Sequence, residues 1–129
     1  GSAASARKGR VRQEQVIDRY IEDVVARTGP LKRRVKAVYD CGNGAGAIVA
    51  PRLFERLGLE GRGIFCESDG TFPNHHPDPT VPENLEDLIS AVRSDHAELG
   101  IGHAPVDHPE IPCSIYCDRM HPSVRDGLQ

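Results

Sequence analysis

The stretch that most constrains the fold is residues 35–46. An apolar run, Val35-Lys36-Ala37-Val38-Tyr39-Asp40-Cys41, passes straight into Gly42-Asn43-Gly44-Ala45-Gly46. The run is strand-like, and the glycines mark a tight turn at its end. Residues 47–57 then read as a helix with Ile48, Val49, Leu53, Phe54 and Leu57 on one face, closed by Gly58 as a C-terminal cap. Strand, glycine turn and helix open a βαβ unit, which demands a parallel partner strand.

The flanking segments repeat the alternation. Upstream, from Arg12, Val16, Ile17, Tyr20, Ile21, Val24 and Val25 recur at helical spacing until Gly29-Pro30 stops the pattern. Ile64-Phe65-Cys66 is expected as a second strand. After it comes a polar loop, residues 67–81, holding three of the ten prolines and two of the six histidines. Loops this long in a small domain are usually functional or form interfaces. Thr80 is expected to cap the next helix in a capping box with Glu83, and Pro82 suits an early helical position. Leu85, Leu88, Ile89 and Val92 form its apolar stripe, and residues 99–102 read as a third strand. Strands alternating with helices predict an α/β fold, a mainly parallel sheet covered on both faces.

Composition removes several classes of function. The 129 residues fit one domain, with 16 Lys and Arg against 19 Asp and Glu, a net charge of -3. That balance gives no electrostatic footprint for nucleic acid or an anionic membrane. With no Trp, three Phe and three Tyr, a stacking platform for single strands is not expected either. No apolar run approaches the roughly 20 residues of a membrane span, and no signal-peptide pattern opens the sequence. The four cysteines read as reduced, Cys41 and Cys66 as small hydrophobes at strand ends, so a cytoplasmic location is expected.

Four clusters could carry chemistry. Lys32-Arg33-Arg34 resembles a phosphate patch but reads better as a solvated loop before a strand. The Gly42–Gly46 turn lies before a helix, where backbone amides can bind phosphate. Its G-x-G-x-G spacing is neither the dinucleotide fingerprint nor a P-loop, so a purely structural tight turn is the stronger reading. His75 and His76, within Asn74-His75-His76-Pro77-Asp78-Pro79, could move protons or bind metal. Adjacent side chains on an extended segment point apart and rarely share one ion, which favours a hydrogen-bonded loop. Gly42, Asn43, Gly44, His75 and His76 remain weak ligand-binding candidates. Cys113, Cys117 and His121, near His103 and His108, could staple a zinc ion, but their even spacing is unlike a zinc ribbon. No catalytic triad or other catalytic signature is present, so no catalytic residue is assigned.

Two motifs carry a resemblance. Residues 38–46 followed by Ala50-Pro51-Arg52-Leu53-Phe54, and Asp69-Gly70-Thr71-Phe72-Pro73-Asn74-His75-His76-Pro77-Asp78-Pro79 followed by Pro82-Glu83-Asn84-Leu85, resemble the second domain of the α-D-phosphohexomutases. These are the phosphomannomutases and phosphoglucomutases. The resemblance covers residues 12–102 and implies a three-layer α/β/α sandwich, as in phosphohexomutase domain II. It further implies a four-domain enzyme that interconverts hexose 1-phosphate and hexose 6-phosphate through a phosphoserine and a bisphosphate intermediate. Mg2+ in that family is held by an Asp-Gly-Asp-Gly-Asp-Arg loop.

Here the departure begins. Where that loop should follow Gly102, the chain reads His103-Ala104-Pro105-Val106-Asp107-His108-Pro109-Glu110. Mg2+ needs oxygen ligands in near-octahedral geometry, which one Asp and one Glu among prolines do not supply. No metal ligand is therefore carried over, and the chain is not expected to bind Mg2+. Residues 115–120, Ile-Tyr-Cys-Asp-Arg-Met, again faintly resemble the family. Neither Ser2 nor Ser5 has the surroundings of the family's serine loop.

The expected organisation is a disordered start over residues 1–10, a domain II-like unit over 11–102, and a divergent tail over 103–129 that could complete the sheet. The expected function is that of domain II, as a fragment or divergent copy, inactive alone. The alternative is a non-catalytic module derived from it that binds sugar phosphate or protein. Expected partners are the other mutase domains, with hexose phosphate as a weak ligand and self-association through uncovered sheet edges.

Overall fold

A computed structural model describes residues 9–103 and the strand Cys113–Cys117. The elements are α1 (Ile17–Thr28), β1 (Val35–Asp40), a 3-10 turn (Ala45–Ile48), α2 (Ala50–Leu57), β2 (Leu59–Ile64), a second 3-10 turn (Pro82–Leu85), α3 (Glu86–Ser94), β3 (Leu99–His103) and β4 (Cys113–Cys117). The strands form one sheet in the order β2-β1-β3-β4. β1 runs parallel to both β2 and β3, while β4 is antiparallel to β3. The sheet is mainly parallel, as its alternating pattern predicts.

β1 is central, and its two faces define the layers. Val38 packs with Leu88, Ala91, Val92 and Ala97 beneath α3. Tyr39 and Cys41 pack with Ala47 and Ala50 on the opposite face, with Phe54, Leu59, Cys66 and Ile101 around them. Helices thus cover both faces, the α/β/α sandwich expected. Each half-core holds few large side chains, so close approach of the backbone matters. A Cβ added at Gly100 would lie 2.9 Å from Val92 and 3.1 Å from Leu88. That glycine lets α3 settle directly onto β3.

Several local expectations are corrected. β2 is not Ile64-Phe65-Cys66 but begins at Leu59, immediately after the Gly58 cap. Its Leu-Glu-Gly-Arg-Gly-Ile sequence has no apolar alternation, because pairing with β1 positions it rather than side-chain burial. Gly61 sits at φ +148 with the Ala37 carbonyl where its Cβ would be, so no other residue fits. The capping box is absent: Thr80 is turned to Asp78, and its N–H and hydroxyl both donate to that carboxylate. The 3-10 turn starts instead after Val81, with Pro82 at its first position. α1 begins at Ile17 rather than Arg12. Of its stripe only Ile21 is buried, while Val16 and Tyr20 are exposed. Ile48 also faces solvent, and Ala47 and Ala50 take the buried places on that side.

Candidate functional site

In parallel sheets, ligands gather where the strands end at their carboxyl edge. Here that edge is the end of β1, the Gly42–Gly46 turn, the long loop and the end of β3. The residue at its centre is Asp40, 2% exposed. One carboxylate oxygen accepts the Gly42 N–H (2.7 Å), and the other accepts His75 Nε2–H (2.9 Å). Its backbone carbonyl accepts His103 Nδ1–H (2.8 Å). A strand, the long loop and a second strand are thus tied through one buried acid.

His75 is held on both sides. Its Nδ1–H donates to the His76 carbonyl (2.9 Å) while Nε2–H points at Asp40, and the Phe65 ring lies edge-on at 5.4 Å. Two acceptors facing two ring nitrogens call for the imidazolium. Burial pushes the His75 pKa down, but the His76 carbonyl and the Asp40 carboxylate outweigh it, so the pKa is raised. His76 is exposed.

Asn43 is the other knot. Buried at φ +57, it donates Nδ2–H to the Glu67 carbonyl (2.8 Å) and accepts the Asn74 amide at Oδ1 (2.8 Å). Its backbone N–H donates to the Phe65 carbonyl, and its own carbonyl accepts the Asp69 N–H. Two neighbouring amides of the turn are engaged too: Gly42 N–H by Asp40 and Gly44 N–H by the Cys41 carbonyl. Gly42 itself sits at φ +51, and a Cβ there would lie only 3.1 Å from the Pro77 side chain. In this conformation Gly42, Asn43 and Gly44 bind the long loop and the turn itself, with no amide of theirs left over for a phosphate.

Asp40 was not among the sequence-derived candidates, and His103 was named only beside the zinc cluster. The one available signal for Asp40 was a carboxylate ending an apolar strand on the same face as Val38. Lys32-Arg33-Arg34 is not a phosphate patch: Arg33 pairs with Glu98 (2.8 Å) and Arg34 with Glu60. Among the described residues no group of three His, Cys, Asp or Glu side chains is placed to hold a metal ion. No buried side-chain nitrogen or oxygen lacks a partner among them. The zinc hypothesis at Cys113, Cys117 and His121 lies outside the described side chains.

Residues 18–105 match the family model for phosphoglucomutase/phosphomannomutase, alpha/beta/alpha domain II. The chain belongs to this family. A phosphomannomutase/phosphoglucomutase of Pseudomonas putida is 51% identical over 94 residues, covering 73% of this chain and 20% of that protein. A phosphoglucomutase of Neisseria gonorrhoeae is 43% identical over 101 residues, 78% of this chain and 22% of its own length. A probable phosphoglucosamine mutase of Methanobrevibacter smithii is 38% identical over 90 residues, 70% of this chain and 20% of its own length. A solved family structure from Burkholderia thailandensis superposes with a TM-score of 0.67 at 44% identity, covering 71% of this chain and 20% of that one. The chain therefore spans about a fifth of the relatives it matches. No described helix is long and apolar enough to cross a membrane.

Proposed function

We propose that this chain is the scaffold of domain II in a hexose-phosphate mutase, and that it performs no phosphoryl transfer alone. The parent reaction interconverts hexose 1-phosphate and hexose 6-phosphate through a phosphoserine and a bisphosphate. The other domains, its partners, supply the serine and enclose the sugar. One observation carries this reading: at the carboxyl edge of the sheet the buried Asp40 is engaged by the chain's own His75 and His103. Positioning and water exclusion supply much of phosphoryl-transfer catalysis, and both depend on the neighbouring domains that enclose the sugar.

At the family's metal position the described residue, His103, does not suit Mg2+. It offers imidazole and spends Nδ1–H on the Asp40 carbonyl, whereas Mg2+ takes oxygen ligands. Asp40, the carboxylate at this edge, already accepts two hydrogen bonds. No step is therefore routed through a metal on this chain. With thiols free at Cys41 and Cys66, a reducing cytoplasm suits it best.

A coupled assay from mannose 1-phosphate or glucose 1-phosphate, with Mg2+ and the 1,6-bisphosphate, tests the reading. The expected result is no turnover above background. Turnover proportional to protein concentration would overturn it.

A further inference from the structure

The long loop and the glycine turn meet at two thiols. Cys41, at the end of β1, and Cys66, just past β2, bring their Sγ atoms to 3.2 Å across 25 residues of sequence. Both are held by one peptide unit: the Ile64 carbonyl accepts the Cys41 N–H (3.1 Å) and the Cys66 S–H (3.4 Å). Gly63 makes the room, since a Cβ there would lie 2.2 Å from Cys66 Sγ. A disulfide needs the sulfurs at about 2.05 Å, a closure of roughly 1 Å.

We propose that Cys41 and Cys66 are a redox modification site, closing to a reversible intrachain disulfide that clamps the turn to the start of the long loop. The oxidant class is a low-molecular-weight disulfide. Cys66, partly exposed, loses its proton and attacks one sulfur, forming a mixed disulfide and releasing one thiolate. Cys41, buried, then deprotonates and attacks Cys66 Sγ, expelling the second thiolate. Two protein thiols are oxidised to one S–S bond, the small disulfide is reduced to two thiols, and the protons pass to the released thiolates. Burial raises both pKa values, and hydrogen bonding from Cys41 partly offsets this at Cys66. The resting thiols are accordingly protonated, and closure accelerates about tenfold per pH unit while they stay mostly so.

Tryptic mapping of the wild-type chain reads the pairing directly. Cys41 falls in peptide 37–52, Cys66 in 63–93, and both Cys113 and Cys117 in 94–119. After incubation with oxidised glutathione at pH 8.5 and alkylation, 37–52 and 63–93 should appear joined, two hydrogens below their summed mass. Dithiothreitol should separate them. The proposal is overturned by recovery of both cysteines alkylated, by a persistent glutathione adduct, or by linkage to 94–119. A melting temperature of the oxidised chain below the reduced one would also overturn it, since closure would then require disrupting the native packing.

Discussion

His75 shows what one side chain contributes at this edge. Its raised pKa means that folding favours the charged ring, so its stabilisation is full below the ordinary value near 6.5 and is lost as pH rises through the folded-state value. Urea midpoints measured from pH 6 upward should therefore fall, and His75→Gln should flatten that component. His75→Ala should cost about 3 kcal/mol at pH 6, because it strips a buried carboxylate of its partner. Asn43→Ala should cost about 2–3 kcal/mol in the same measurement, from two lost side-chain hydrogen bonds and the left-handed backbone that Asn tolerates. The sequence flagged both residues, with a hydrogen-bonded loop as the favoured role around His75 and a structural tight turn around Asn43. It did not name Asp40 as the partner, because the pair is 35 residues apart and no local spacing encodes it.

At the scale of elements, α3 on β3 and β2 beside β1 behave differently. Leu88 of α3 is fully buried, and Leu88→Ala should cost about 2–5 kcal/mol by chemical denaturation. Gly100→Ala should cost about 1–3 kcal/mol by overpacking against Val92 and Leu88. Helix α3 was legible, since its apolar stripe records burial one turn at a time. β2 was not. Its position follows from backbone pairing with β1, from Leu59 opposite Val35 to Ile64 opposite Asp40, and backbone groups are the same in every residue. Gly61→Ala should abolish the cooperative transition altogether, because the new Cβ meets a backbone carbonyl that cannot move without unpairing β1. The capping box failed for a related reason: Asp78 stands two residues from Thr80 and competes for its hydroxyl.

For the whole molecule, a domain spanning about a fifth of its relatives keeps their fold, and among the described residues its buried side-chain polar atoms are all paired. Adding Mg2+ should accordingly leave the melting temperature unchanged at millimolar concentration, read by differential scanning fluorimetry with and without chelator. A rise of several degrees would reveal a site that the donor set does not suggest.

The amino-acid sequence determined the order of elements, the mainly parallel sheet and the burial of both its faces, because hydrophobic periodicity is written locally along each helix and strand. It also determined the family, through the turn after β1 and the long loop. Only the tertiary structure decided which partners those two motifs have. Asp40 meets His75, Asn43 meets Asn74, and Cys41 meets Cys66 because parallel pairing of β1 with β2 sets the loop across the turn. Contacts of that kind depend on the register between distant strands, which no stretch of sequence carries by itself.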